Sequence, residues 1–441
     1  MKRICLAVGM AVVATACSRA TGSSDPFVGF GPNPPLPAPQ STLIPQVDVP
    51  DVVGWPTGAA PKAPPGFTVT RYAEGLDHPR WLLALPNGDV LVAEAAAPPS
   101  QGDETNSGIR GWVQKMLMER VKSAVASPNR IILLRDADGD GVAETRITFA
   151  EGLTSPFGMT LVGDTLYVAN ADGVVSFPYR PGQTHVDGAG TRVFDLPGPP
   201  INHHWTKNVV ASPDGRRLYA TVGSNSNIGD NGMAAEEGRA AIWVYDIAQQ
   251  HARLYASGLR NPNGTDFEPT TGAIWTVVNE RDEIGPDVPP DYLTSVTDGA
   301  FYGWPYSYWG QHVDARVKPP RPDLVSKAIA PDYGLGPHTA SLGLTFYRAS
   351  AFPPPYRGGA FVGQHGSWNR VPLNGYRVVF VPFANGRPQM PAQEFLTGFL
   401  NADNKIQGRP VGVAVDSKGA LLVADDVGGV VWHVAATPSR P

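Results

Sequence analysis

The sequence predicts an all-β chain folded as a six-bladed β-propeller, with long loop insertions and one short helical insertion. Three observations carry that expectation. A turn containing glycine, then an alternating apolar strand, then a polar loop recurs six times between Pro86 and Ala424. Gly (49 residues) and Pro (45) make up about a fifth of the 441 residues, well above the usual roughly 12%. Charged residues are 17% of the chain, below a usual roughly 25%, which suits a loop-rich protein with an ample core. The net charge of −5 argues against a nucleic-acid surface, so no nucleic-acid partner is expected.

In chain order, residues 1–17 read as an export signal. Lys2 and Arg3 form a charged start, and Ile4 to Val13 is an apolar run too short to span a bilayer. Ala14-Thr15-Ala16-Cys17 resembles a bacterial lipoprotein cleavage box, although Ala14 stands where leucine is more usual. Cys17 is then the lipidation site. An ordinary signal cut after Ala16 is the alternative. The only other cysteine, Cys5, lies inside the signal, so no internal disulfide is expected. The chain has no Cys-x-x-Cys-His for covalent haem. Export to the periplasmic side with a lipid anchor to the membrane follows as an expectation. Residues 18–66 read as a Pro-rich spacer, since 12 of the 45 prolines lie between 21 and 66. It would hold the domain of residues 67–441 away from the membrane, with the stretch near Val52 to Trp55 open to packing as an irregular arm.

The repeated unit appears first at Pro86-Asn87-Gly88-Asp89-Val90-Leu91-Val92-Ala93, then at Gly163 to Asn170 and at Pro213-Asp214-Gly215 to Thr221. It returns at Thr271-Gly272 to Trp275, at Arg357-Gly358-Gly359 to Gly363, and at Asp416 to Ala424. The spacing of about 50 to 90 residues exceeds the roughly 40–50 of compact propeller repeats, which implies insertions between strands. One insertion carries apolar residues at helix spacing, namely Ile109, Trp112, Val113, Met116, Leu117, Val121, Ala124 and Val125. It reads as a helix packed on the propeller. Contact of its basic residues with lipid headgroups is the other reading.

Asp136, Asp138, Asp140 and Glu144 occupy positions 1, 3, 5 and 9 of a loop with Gly141 at position 6. Calcium takes six to eight oxygens, and such a loop wraps around it. Ile147 stands at position 12, where an EF-hand needs a bidentate Glu, so the loop is of calcium type outside an EF-hand. A structural calcium is expected there, with a solvated acidic turn as the alternative.

Gly258-Leu259-Arg260-Asn261-Pro262-Asn263-Gly264 leads into an apolar strand and then Asn279-Glu280-Arg281-Asp282-Glu283. The stretch closes on Tyr302-Gly303-Trp304-Pro305. Polar loops at both ends of a strand are how a β-scaffold presents chemistry at its rim. Arg260 offers five donors in a fixed fork, suited to a carboxylate or a developing oxyanion, or to a structural ion pair. Asn202-His203-His204-Trp205 precedes the third repeat. Adjacent strand residues point to opposite faces, so two neighbouring imidazoles seldom ligate one metal.

These motifs, in this order, resemble the soluble sugar dehydrogenases that use pyrroloquinoline quinone, with the sorbosone dehydrogenase branch as the nearest likeness. The resemblance spans about Pro65 to Val434 and implies a six-bladed propeller. It implies His204 as general base, a task that suits an imidazole titrating near neutrality. An aspartate often orients that base in the family; here Ser224 holds the place. Arg260 and Asn261 match a quinone-contacting pair, and Asn263 stands where glutamine is common. Asn279, Glu280 and Arg281 fall where backbone carbonyls hold the cofactor calcium. A cofactor lysine is replaced by His365 or Arg370, and Arg409 matches a cofactor-carboxylate arginine.

The resulting expectation is an oxidoreductase passing hydride from an aldose or sorbosone-like aldehyde to pyrroloquinoline quinone, with calcium as second cofactor. Electrons would leave to an external quinone or cytochrome. A calcium-dependent lactonase on a similar propeller is one alternative, requiring carboxylates converging on a central calcium. A non-catalytic surface binding propeller is the other.

Overall fold

The computed structural model describes residues 20–40, 48–98 and 126–437. The expected signal with Cys17 and the expected helix from Ile109 to Val125 lie outside these residues. Among the described residues the chain is almost wholly β, and its one α-helical turn is Pro322–Val325.

Six antiparallel sheets form the blades. Blade 1 holds Pro79–Ala84, Val90–Glu94, Arg130–Arg135 and Thr145–Ala150, and blade 2 runs from Met159–Val162 to Thr191–Asp195. Blade 3 runs from Val209–Ala211 to His251–Ser257, blade 4 from Asn261–Phe267 to Tyr333–Pro337, and blade 5 from Ser341–Phe346 to Gln393–Leu396. Blade 6 takes Pro410–Val415, Leu421–Asp425 and Val430–Ala436 from the end of the chain. Its outer strand, Phe67–Glu74, comes from the beginning. That pairing of first and last strands closes the ring.

Each of the six recurring units is the hairpin between a blade's innermost strand and its second strand. The glycine of every turn has positive φ, from 56° at Gly163 to 93° at Gly88, which a side chain would disfavour. Innermost strands of neighbouring blades meet backbone to backbone. A Cβ on Gly264 would lie 2.5 Å from Leu344 N, and one on Gly343 would lie 2.1 Å from Val411 O. Apolar residues fill the spaces between blades, most densely between blades 5 and 6. There Phe67, Tyr347, Phe352, Tyr356, Phe361, Phe380 and Phe395 stack and abut with centroids mostly 4.4–6.2 Å apart.

Up-and-down blades have two distinct ends. The recurring turns and the connections from third to fourth strand share one end. The entries to the innermost strands and the connections from second to third strand share the other. The acidic loop of Asp136 to Glu144 joins the third and fourth strands of blade 1 and meets Lys418 of the blade 6 turn, Nζ 3.4 Å from Asp136 Oδ2. It therefore sits at the turn end.

The stretch expected to be a free spacer behaves differently. Among its described residues, Phe30–Gly31 adds a fifth strand to blade 4 by pairing with Leu335 and Gly334, and the Phe30 ring enters the core. Val52 bridges to Ile406, Lys62 to Thr397, and the Trp55 indole donates to the buried Asp425 at 2.7 Å. The many prolines keep the arm extended, and its few aromatic side chains supply the apolar surface that holds it down. The stretch around Val52 to Trp55 was open to this reading; the packing extends it across 20–40. Phe30→Ala is expected to lower the unfolding free energy in urea by about 3–5 kcal/mol. A residue on a solvated tether would change it by under about 0.5 kcal/mol.

Candidate active site

The end opposite the turns gathers one polar group after another around the axis. Innermost-strand entries bring His204 to blade 3, Arg260 to blade 4, His338 to blade 5, Arg409 to blade 6 and Arg80 to blade 1. Connections after the second strands bring Ser224, Asp282, His365 with Asn369, and Asp426.

His204 is half-buried beside the blade 3 loop. Its Nδ1 lies 2.8 Å from the Ser224 carbonyl and 3.0 Å from Ser224 Oγ. Ser224 Oγ donates its own proton to Ser226 O at 2.7 Å, so toward His204 it can only accept. Both neighbours of Nδ1 are acceptors, which puts the ring proton on Nδ1 and the lone pair on Nε2. Ser224 thus orients the imidazole, by its backbone as much as by its side chain. Burial, then the nearby Arg260 guanidinium, pushes the His204 pKa well below its usual value, so the ring is neutral at pH 7. Gly223 lets the chains converge, since a Cβ there would lie 2.4 Å from both His204 Cβ and Asn261 Oδ1. His203 is exposed, so the two imidazoles part, although they stand in a bend before the strand rather than on it.

Arg260 bonds the Glu280 carbonyl at 2.7 Å, Asn227 Oδ1 at 3.0 Å and Asp282 Oδ2 at 3.2 Å. Burial would raise the Asp282 carboxyl, but His338, the Arg260 charge and Asn369 outweigh it and hold it far below the carboxylate range. His338 Nε2 faces the Gly285 carbonyl at 2.9 Å and its Nδ1 faces Asp282 Oδ1 at 3.4 Å. Burial alone would lower His338; hydrogen bonding to Asp282 and the carboxylate charge raise it instead.

A second group lies across the axis. Asp426 pairs with Arg80 and with His365, whose Nε2 is 3.0 Å from each carboxylate oxygen. Burial and Arg409 lower His365 to about 4 against the pull of Asp426. Arg409 is held by the His365 carbonyl at 2.8 Å and the Gly366 carbonyl at 2.7 Å, over the Tyr376 ring. Arg80 lies over the Trp205 indole, with its Nε buried and unpartnered. Asn261 Oδ1, Asn263 Oδ1 and Asn369 Oδ1 are likewise buried without a partner. Asn263 otherwise bonds Thr206 Oγ1 at 2.9 Å, and Asn279 bonds the Ser341 carbonyl at 3.0 Å.

Some expected residues stand elsewhere or are already engaged. Arg370 is engaged between the blade 4 and blade 5 connections and the N-terminal arm. Its guanidinium bonds Ser23 O and Asp287 Oδ1 at 2.7 Å each, together with the Pro286 and Pro372 carbonyls. Of the pair His365 or Arg370, only His365 faces the axial group. Of the Glu280 and Arg281 backbone carbonyls expected to hold the cofactor calcium, one is engaged. Glu280 O accepts from the cationic Arg260, which leaves that carbonyl poorly placed to share with a dication. Arg281 is fully buried on Glu280 Oε2 at 2.9 Å, Pro305 O at 2.7 Å and Ser307 O at 2.6 Å. The acidic loop does converge. One oxygen from each of Asp136, Asp138, Asp140 and Glu144 lies within 4.8 Å of the others. It does so at the turn end; at the mouth, Asp282 and Asp426 stand in separate ion pairs, unlike the converging carboxylates a calcium lactonase needs.

Sequence reasoning missed Asp282, His338, Asp426, Arg80 and Asn369. The repeat carried a usable signal, because the residues just after each second strand and before each first strand face the mouth. Asp426 follows directly on the second strand of blade 6, and Asp282 stands three residues past that of blade 4.

A six-bladed propeller whose axial mouth is lined by arginines and a neutral imidazole falls in the class of the soluble quinone-dependent sugar dehydrogenases. Within that class the chain belongs to the TrAA12-like family, whose model matches residues 129–289 and 324–437. It is 27% identical over 297 residues to an uncharacterised protein of Borreliella burgdorferi, covering 65% of this chain and 77% of that one. It is 27% identical over 300 residues to a pyrroloquinoline quinone-dependent pyranose dehydrogenase of Coprinopsis cinerea, covering 53% of this chain. The match spans 39% of that protein's length. Among solved structures, the holo pyrroloquinoline quinone domain of the Coprinopsis cinerea pyranose dehydrogenase superposes with a TM-score of 0.66 at 22% identity. That likeness of fold covers 88% of this chain and the whole of the other.

Proposed function

We propose that this chain is a pyrroloquinoline quinone-dependent dehydrogenase of aldose sugars, pyranoses or sorbosone-like aldehydes. The observation that carries the reading is His204. Its proton is fixed on Nδ1 and its Nε2 lone pair is free, beside a guanidinium. The residues present fit an anionic tricarboxylate at the mouth. Arg80 has a buried donor without a partner, Arg409 stands beside it, and Arg260 anchors the opposite wall. Bound there, the quinone supplies the hydride acceptor. His204 Nε2 takes the proton of the sugar hydroxyl or hydrated aldehyde as the carbon is oxidised. Arg260 stabilises negative charge developing next to it. Asp282 and His338 keep Arg260 from turning away. No step is assigned to a calcium at Glu280 and Arg281, where Glu280 O already accepts from Arg260. The electrons then pass to an external quinone or cytochrome.

His204→Ala is expected to lower kcat by roughly 10²–10⁴-fold while leaving quinone binding largely intact. His203→Ala should cost far less. Because burial and Arg260 hold His204 below its usual pKa, the acid limb of the kcat/KM profile should fall below pH 6.5. Near-normal reduction of bound quinone by sugar in His204→Ala would overturn the assignment.

The loop of Asp136 to Glu144 is proposed to hold a structural calcium, the hard cation that four carboxylate oxygens suit. It ties blade 1 to the closure strand through Thr70 Oγ1 to Gly141 O at 3.2 Å. The double variant Asp138→Ala with Asp140→Ala should lower Tm and abolish its response to chelator. A chelator-independent wild-type melting curve would count against it.

The chain is further proposed to be exported and anchored on the periplasmic side through lipid on Cys17. Cys17→Ser should then move the protein from the membrane fraction to the soluble one, and a wild type already soluble would refute the anchor.

A further inference from the structure

The imidazole of His204 is held by a loop, and that loop is itself held from behind. Glu236 closes the short 3₁₀ turn Met233–Glu236 and is 5% exposed. Its two carboxylate oxygens reach into the loop after the second strand of blade 3. Oε2 accepts the Asn225 backbone N–H and Oε1 accepts the Ser226 hydroxyl, each at 2.6 Å. Ser226 Oγ in turn accepts Gly229 N–H at 2.9 Å and Asp230 N–H at 3.0 Å, which fixes its own position. The Ser226 carbonyl takes the proton of Ser224 Oγ, and Ser224 presents only acceptors to His204 Nδ1. The Glu236 carboxylate and the Ser226 carbonyl can only accept, so both hydroxyls in this series are committed as donors to them. The same turn also grips the backbone that carries His204. Arg239, three residues past Glu236, bonds Asn202 Oδ1 at 2.9 Å, Ile201 O at 3.2 Å and the Gly198 carbonyl.

We propose that Glu236 is a positioning residue for His204. It sets the Ser224 acceptors that hold the ring proton on Nδ1, while Arg239 on the same turn fixes the approach of the His204 backbone. The inference rests on the reading of His204 as the base. A carboxylate in direct contact with the ring would orient it and also raise its basicity. Here the carboxylate is set one loop away, so it supplies orientation while the ring stays neutral to lower pH.

The test uses the full chain with ¹⁵N-labelled histidine, and His204→Ala identifies the His204 signals. In the wild type the His204 nitrogens should report a single Nδ1–H tautomer. Glu236→Ala should pull the two shifts toward each other as tautomers mix. It should also lower kcat, by up to about 10²-fold for a displacement near 1 Å, with apparent quinone affinity unchanged. Glu236→Gln, which keeps one acceptor, should restore part of both. Ser226→Ala cuts the side-chain link alone and decides the matter if Glu236→Ala fails to fold: it should shift the His204 signals in the same sense. Wild-type imidazole shifts in Glu236→Ala or Ser226→Ala would overturn the proposal. Loss of the tautomer in those variants, with full turnover in His204→Ala, would instead leave the positioning intact and remove the base.

Discussion

Everything at the mouth depends on one strand pairing, that of Phe67–Glu74 with Val430–Ala436. The axial groups come from blades 1, 3, 4, 5 and 6, spread between Arg80 and Asp426 in the sequence. Only a closed ring brings Arg80 of blade 1 onto Asp426 of blade 6. The closure buries Trp432 completely and sets Phe67 against Phe352 and Phe395. Arg71 lies over the Trp432 ring on the outside of the same seam. An open ring would leave the ladder of Val430–Ala436 without its partner, an edge exposed to pairing with other chains.

The mouth also shows how buried charge is managed. Arg260, Asp282 and His338 form one alternating group, and Arg80, Asp426, His365 and Arg409 form another. Asp282 and Asp426 each meet a cation and a further donor, the condition under which burying charge is tolerable. His204 and His365 stay neutral because they are buried and because guanidinium charge already stands beside them. Two of the mouth imidazoles, His204 and His365, therefore keep a lone pair, while Asp282 holds His338 toward its charged form.

Much of the fold was legible because the turns obey local rules. Gly88, Gly215 and Gly419 stand where positive φ is needed, and the alternating strands after them declare their faces. The mouth was legible only in part. Arg260 and His204 sit in distinctive local runs, whereas Asp282 and Asp426 acquire meaning through partners in distant sequence, Asn369 and Arg80. Arg370 misled for the same reason, since Asp287 and the arm's Ser23 carbonyl, both distant in sequence, occupy it. The arm was hidden by its composition. Proline richness reads as solvation, yet Phe30 and Trp55 are enough to dock an extended segment whose backbone has little freedom left to lose. Glu236 carried no local signal, because its importance comes from the loop it supports.

If Cys17 carries lipid as proposed, the arm also fixes a geometry between enzyme and bilayer. Gly22 and Ser23 are tied to Val371 and Asp287, in the connections at the mouth end of blades 5 and 4. Five residue steps separate Gly22 from Cys17, and a fully extended chain covers at most about 3.6 Å per step, or about 18 Å. An acyl group on Cys17 would thus leash the molecule by its mouth, with the turn end directed into the bulk compartment. Sugar would then enter, and reducing equivalents depart, through the narrow gap between protein and lipid. A lipophilic redox carrier in the bilayer would be at hand, and a bulky globular one would have to slide in sideways.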